Sequence, residues 1–155
     1  MQQLFWLEHG KIAGRCGPDK TPWQLADFKK AGFSAILSVN SGVFCHATDF
    51  ENVGLAYSCI SLSENAPPRP GDSDLCWRQL PVAFDFIQAH IDKGAVMIHC
   101  HSGKDRTGLL MAYYLLKQRS FSAQQAMDEV LAVRPIAFSA EGWLDFCWNI
   151  LEQCE

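Results

Sequence analysis

The chain has 155 residues, a length that suits one domain, residues 1–155, with an ordinary core. Hydrophobic residues make up 48% and charged residues 19%, a globular balance, and a formal net charge of −4 argues against nucleic-acid binding, which calls for a basic face. The seven cysteines are odd in number, scattered and without a CxxC pair, which speaks against a secreted disulfide framework and for a reducing, cytoplasmic setting.

The opening "MQQLFWLEHG" lacks a basic region followed by an apolar run, so no signal peptide is expected. "LFWLEHGKIAG" reads as two short strands around a His9-Gly10 turn. Thr21-Pro22 has the form of a helix start, a threonine cap with proline in the first turn, and "PWQLADFKKA" would end at Gly32. "FSAILSV" and "LAYSCISL" read as buried strands, and "SENAPPRPGDSD" as a loop. The spacing of "SDLCWRQLPVAFDFIQAHIDK" predicts a helix with Trp77, Leu80, Phe84, Ile87 and Ile91 on one side, kinked or split at Pro81 and ended by Gly94. "AVMIH" lacks alternation and suits a central strand buried on both faces. "TGLLMAYYLLKQ" follows as a helix, too short to span a bilayer. Ser122 is placed to cap "AQQAMDEVLAV" and Ser139 to cap "AEGWLDFCWNILEQ". The order is strand, helix, strand, strand, helix, strand, then helices, which predicts an α/β fold with a central, mostly parallel sheet flanked by helices. Such sheets bind ligands at the carboxyl ends of their strands, where His99 and Cys100 fall.

The stretch "HCHSGKDRTG", His99 to Gly108, joins that strand to the next helix. Between Cys100 and Arg106 lie His101, Ser102, Gly103, Lys104 and Asp105, enough for a loop that turns its amide N–H groups inward. The helix start beyond it adds unpaired N–H groups and a dipole that favours an anion. The Arg106 guanidinium matches two phosphate oxygens, Gly103 permits a sharp turn, and Lys104 and His101 raise the positive potential at the mouth. Cys100 lies at the floor of this cradle, where a positive field favours the thiolate as nucleophile. Thr107 is placed to hydrogen-bond the sulfur as it leaves, and His99 to fix the loop. A Walker-type loop fits poorly, because Lys104 is followed by Asp105 and position 98 is Ile. Zinc on His99, Cys100 and His101 fits poorly too, since neighbours along an extended chain point to opposite faces.

His99-Cys100 and Arg106-Thr107-Gly108 resemble the HCxxxxxR[S/T]G signature of the cysteine-dependent protein tyrosine phosphatases. "FWLEHGKIAGRCGP", "KKAGFSAILSVN" and "RPIAFSAEGWLDF" resemble segments of small atypical dual-specificity phosphatases. The resemblance implies a central sheet flanked by helices, no metal or cofactor, and hydrolysis of phosphomonoesters through a phosphocysteine intermediate. The substrate it implies is a phosphorylated protein, at tyrosine and also at serine or threonine, or a small phosphomonoester. The Gly-Lys-Asp-Arg-Thr run also resembles loops of phosphatases acting on phosphoinositides, which leaves a lipid or inositol phosphate as the alternative. An inactive phosphate-binding module is the other one. No stable membrane insertion and no nucleic-acid partner are expected.

The two-step route needs a general acid. Glu64 stands three residues before Pro67-Pro68, where the resembling phosphatases carry an aspartate, and is the first choice; Asp72 is the rival. Cys45 or Cys59 is a candidate partner for a protective disulfide with Cys100, again by resemblance.

Overall fold

Short apolar runs within the first forty residues supply three of the five strands of the sheet. β1 (Phe5–Glu8) and β2 (Ile12–Cys16) form an antiparallel hairpin, and β3 (Phe33–Ser38) follows α1 (Leu25–Lys30). The computed structural model, which describes residues 3–155, continues with α2 (Ala47–Val53), β4 (Ala56–Cys59), α3 (Asp72–His90), a 3-10 turn at Ile91–Lys93, and β5 (Ala95–Cys100). Three helices close the chain: α4 (Asp105–Arg119), α5 (Ala123–Val133) and α6 (Trp143–Cys154). The strand order is β1-β2-β5-β3-β4, and every pairing except β1–β2 is parallel. The fold is thus α/β with a mostly parallel central sheet, as the sequence predicts.

β5 sits mid-sheet and is buried along its whole length. Val96, Ile98 and Cys100 face a large core shared with α3 to α6; Ala95 and Met97 face a smaller one with Phe28 of α1 and Phe50 of α2. The period of two therefore sends Cys100 and His99 to opposite faces. α4 is buried from Thr107 to Leu116, because the helices α3, α5 and α6 and the sheet enclose it. This anchors the helix whose N-terminus receives the loop after β5. Among the described residues no helix is long and apolar enough to cross a membrane.

Several boundaries differ from expectation, each for a local reason. α1 begins at Leu25 and not at Pro22, since the Arg15 guanidinium takes the carbonyls of Thr21 (2.9 Å) and Pro22 (3.2 Å) and holds that segment out of the helix. α2 was not expected at all: its seven residues bury only Phe50 and carry no side-chain cap, too little for a visible period. α3 runs unbroken through Pro81, whose ring lies on the exposed side, where the carbonyl it frees is open to water. Its inner side carries Cys76, Leu80, Ala83 and Ile87, while Trp77 is 40% exposed. Ser122 caps α5 through a full capping box with Gln125, as expected. Ser139 does not cap α6; that helix starts after Gly142, and Ala140 N just before it donates to Asp105 Oδ1.

Candidate active site

The loop after β5 is held by its carbonyls. Cys100 O lies 3.2 Å from His99 Nδ1, His101 O accepts from Gly17 N (3.0 Å), and Lys104 O from Gly108 N (3.1 Å). Arg134 donates to the remaining two, Nε to Gly103 O (3.2 Å) and a terminal nitrogen to Ser102 O (2.9 Å). Five successive carbonyls are thus engaged from outside, which leaves the amide N–H groups of the loop to face its centre. Gly103 is required: its φ is +64°, and a Cβ there would come within 2.6 Å of the Arg15 carbonyl. α4 then begins at Asp105 and points its N-terminus at the same centre.

Cys100 is 2% exposed at the floor of this ring, and Thr107 Oγ1 donates to its Sγ at 3.1 Å. Its surroundings are a hydroxyl and a curl of backbone, not hydrocarbon alone. His99 is fully buried, packed edge-on against Trp23, with Nε2 2.5 Å from Ser38 Oγ. Burial pushes the His99 ring down to about 4, against the opposing pull of the Cys100 carbonyl and Asp19, so it is neutral near pH 7.

Arg106 reaches across the loop to Glu64, with Nη1 to Oε1 at 3.2 Å. The Glu64 side chain is 57% exposed on the β4–α3 loop, and its carboxylate pairs with the arginine. Asp72 is engaged elsewhere. Its carboxylate accepts from Arg69 N (2.7 Å) and from Asn65 Nδ2 (3.0 and 3.2 Å). The Arg69 amide, with help from Asn65 and Ser63, holds it below the usual carboxylate range. Trp143 Nε1 donates to Asn65 O (2.8 Å), so α6 pins the same loop. Asp72 is therefore tied into the base of the loop that carries Glu64.

The mouth is charged and braced. His101 Nδ1 pairs with Asp19 at 2.6 Å, and Lys20 Nζ lies 3.4 Å from Ser102 Oγ. Asp105 contacts Lys104 at 3.6 Å and accepts from Ala140 N at 3.3 Å, a brace between the loop and the start of α6. Cys45 is half-buried, its Sγ 3.8 Å from His99 Nε2, whereas Cys59 is exposed beside Asn40 O. Arg134, Arg15, Gly17, Asp19 and Ser38 brace the site without a motif of their own, although Arg15, Gly17, Ser38 and Arg134 lie within the three segments that carry the family resemblance.

Residues 19–145 match the family described as "Dual specificity phosphatase, catalytic domain". The chain belongs to that family. It is 26% identical to "Tyrosine-protein phosphatase cdc-14" of Caenorhabditis elegans over 165 aligned positions, which cover 94% of this chain and 22% of that protein. It is 28% identical to "Dual specificity protein phosphatase 12" of Rattus norvegicus over 142 positions, covering 91% of this chain and 37% of the relative. The chain spans about a fifth to a third of the length of these two curated relatives. Among solved structures, Tk-PTP in its active form superposes with a TM-score of 0.76 at 19% identity, covering 98% of this chain and 97% of that one. Human DUSP28 gives 0.71 at 16%, covering 99% and 96%. These two likenesses establish the fold, that of the small tyrosine and dual-specificity phosphatases.

Proposed function

We propose that the chain hydrolyses phosphomonoesters in two steps through a cysteinyl-phosphate. The observation that carries this reading is the ring of outward carbonyls from Cys100 to Lys104, with the Thr107 hydroxyl on the Cys100 sulfur and Arg106 in the first turn of α4. Inward amides, the α4 terminus and the guanidinium of Arg106 bind the three non-bridging oxygens of a phosphoryl group. Cys100 Sγ attacks phosphorus, the P–O bond to the leaving group breaks, and Glu64 gives its proton to that oxygen. Water then attacks phosphorus, Glu64 takes its proton back, and the S–P bond breaks. The Thr107 hydroxyl stabilises the departing thiolate. In this scheme Asp72 serves as a brace and not as the acid.

The substrate class we favour is phosphotyrosine in proteins, with phosphoserine and phosphothreonine admitted, a reading supported by the match to the dual specificity phosphatase family. A phosphoinositide is the second reading. Lys20, His101 and Lys104 at the mouth favour a polyanionic head group. PTPMT1, crystallised with PI(5)P, shares the fold with a TM-score of 0.71 at 14% identity, covering 98% of this chain and 96% of that one. The scattered thiols support a reducing, cytoplasmic setting.

Hydrolysis of p-nitrophenyl phosphate tests the reaction. Cys100→Ser is expected to abolish turnover while inorganic phosphate still binds. Arg106→Lys is expected to cripple it as well, since a point charge cannot replace a fork. Wild-type turnover in Cys100→Ser overturns the nucleophile. Phosphate binding with no turnover in the unaltered chain points to a binding module instead. A panel of phosphopeptides and phosphoinositides then separates the two substrate classes.

A further inference from the structure

The two ring nitrogens of His99 face different partners, and a third group stands behind one of them. Nδ1 lies 3.2 Å from Cys100 O; Nε2 lies 2.5 Å from Ser38 Oγ; and Ser38 Oγ lies 2.7 Å from Tyr57 Oη. Ser38 and His99 are both 0% exposed and are register partners on β3 and β5. The protons on this chain follow from valence. A carbonyl only accepts, so Nδ1 carries the hydrogen. The buried ring is neutral, so Nε2 holds a lone pair and requires a donor. Ser38 Oγ–H supplies it. Cys45 Sγ, 3.7 Å from Ser38 Oγ, is a more distant and weaker acceptor for the same proton. With that proton on Nε2, the Tyr57 hydroxyl donates to Ser38. Burial raises the Tyr57 hydroxyl far above its ordinary range, which keeps that proton in place.

We infer that Ser38 is a positioning residue that locks the tautomer of His99 and, through it, the direction of the Cys100–His101 peptide. Cys100 C=O and His101 N–H belong to one rigid plane. With Nδ1–H donating, the carbonyl is drawn to His99, and the first amide of the phosphate ring takes the opposite direction. In the other tautomer two lone pairs would oppose each other across 3.2 Å, and the plane would turn. Cys45 does not substitute for Ser38: its thiol is 3.8 Å from Nε2 and is a weak donor. The other charged groups that act on the ring are Arg15 from β2, Arg106 from α4, and Asp19 from the β2–α1 segment. Arg15 donates to the Cys16, Thr21 and Pro22 carbonyls, Asp19 pairs with His101, and Arg106 with Glu64. The tautomer follows from the network alone; its effect on reactivity rests on Cys100 being the nucleophile.

The test combines 15N NMR of the His99 ring with alkylation of Cys100 by iodoacetamide across about pH 5 to 9. Wild type is expected to show the Nδ1–H form, and Ser38→Thr, which keeps the hydroxyl, to retain it. Tyr57→Phe is expected to retain it too, because Ser38 still donates. Ser38→Ala is expected to populate the Nε2–H form. Its Cys100 should alkylate about three- to tenfold more slowly near pH 6, the size of one hydrogen bond. An Nε2–H form in wild type overturns the inference, and that measurement needs no variant to fold. A folded Ser38→Ala with wild-type tautomer and profile also overturns it. Neither readout needs turnover, so an inactive chain that passes both tests sinks the proposed function alone.

Discussion

The loop from Cys100 to Thr107 and the loop from Ser63 to Gly71 meet at one ion pair, Arg106 with Glu64, yet they are built on opposite plans. In the first, five successive carbonyls are engaged from outside, by a histidine, an arginine and two backbone amides, and Gly103 leaves no room for a methyl group. In the second, only the base is held, by Asp72 on Asn65 and Arg69 and by Trp143 on Asn65 O, while Glu64 itself is 57% exposed. In the proposed mechanism the difference fits two tasks. A nucleophile and its anion cradle gain from fixed geometry, since nothing then has to reorganise during reaction. An acid that must meet the leaving group and later a water gains from an exposed side chain on a fixed base.

The most severe way to break this contrast is Gly103→Ala. The added Cβ would meet the Arg15 backbone at 2.6 Å, at a φ of +64°. Hydrolysis of p-nitrophenyl phosphate is expected to fall by about a thousandfold or more, together with phosphate binding and a stability loss of about 2 kcal/mol or more. Retained phosphate affinity would mean the cradle is not rigid.

The rigid side should also register in stability against pH. Unfolded His99 takes its proton near 6.5, but the buried ring does so only near about 4. Between these values the unfolded chain binds more protons, so stability falls as pH falls. Above the upper value the penalty vanishes, and below the lower one it stays constant. His99 alone should contribute a loss of about 3 kcal/mol across that window, read by urea unfolding. His99→Gln should flatten the slope there; an unchanged slope would mean that the ring is solvated.

On the loop from Ser63 to Gly71, the two carboxylates should separate cleanly. Glu64→Gln is expected to lower kcat on phenyl phosphate by about a hundredfold, and less on p-nitrophenyl phosphate, whose leaving group needs no proton. Asp72→Asn should instead lower the melting temperature, through loss of its hydrogen bonds at about 1–2 kcal/mol, with a smaller effect on kcat. If the roles reverse, the acid loop has been misread. The mildest change is Trp143→Phe, which removes one donor to Asn65 O. It should cost about 1 kcal/mol and lower kcat a few-fold, more on phenyl phosphate than on p-nitrophenyl phosphate. An equal loss on both substrates would place the effect outside acid positioning.

Much of the site was legible in one dimension. The residues from His99 to Gly108 are contiguous, and their chemistry depends on a strand end, a turn and a helix start, each of which leaves a local signal. Glu64 is singled out in the sequence by its distance from Pro67-Pro68, and the structure places it in an ion pair with Arg106. Asp72 was ambiguous because its spacing and chemistry suit an acid, and only its contact with Asn65 and Arg69 shows it occupied. Arg134, thirty-one residues after Gly103, grips the loop only because α5 turns back beside it. Ser38, sixty-one residues before His99, does so because β3 and β5 lie side by side. Neither has a pattern of its own, and α2 is too short to show one.

The sequence by itself determined the α/β class, the mid-sheet strand at 95–100 and the chemistry gathered after it, because these follow from local periodicity and from neighbours along the chain. Tertiary structure alone decided which carbonyls are engaged, where the guanidinium of Arg15 goes, and which nitrogen of His99 holds its hydrogen. Those are settled by pairing groups far apart in the chain inside a buried space, where each unpaired polar group is costly and the partner is whatever the packing brings within reach.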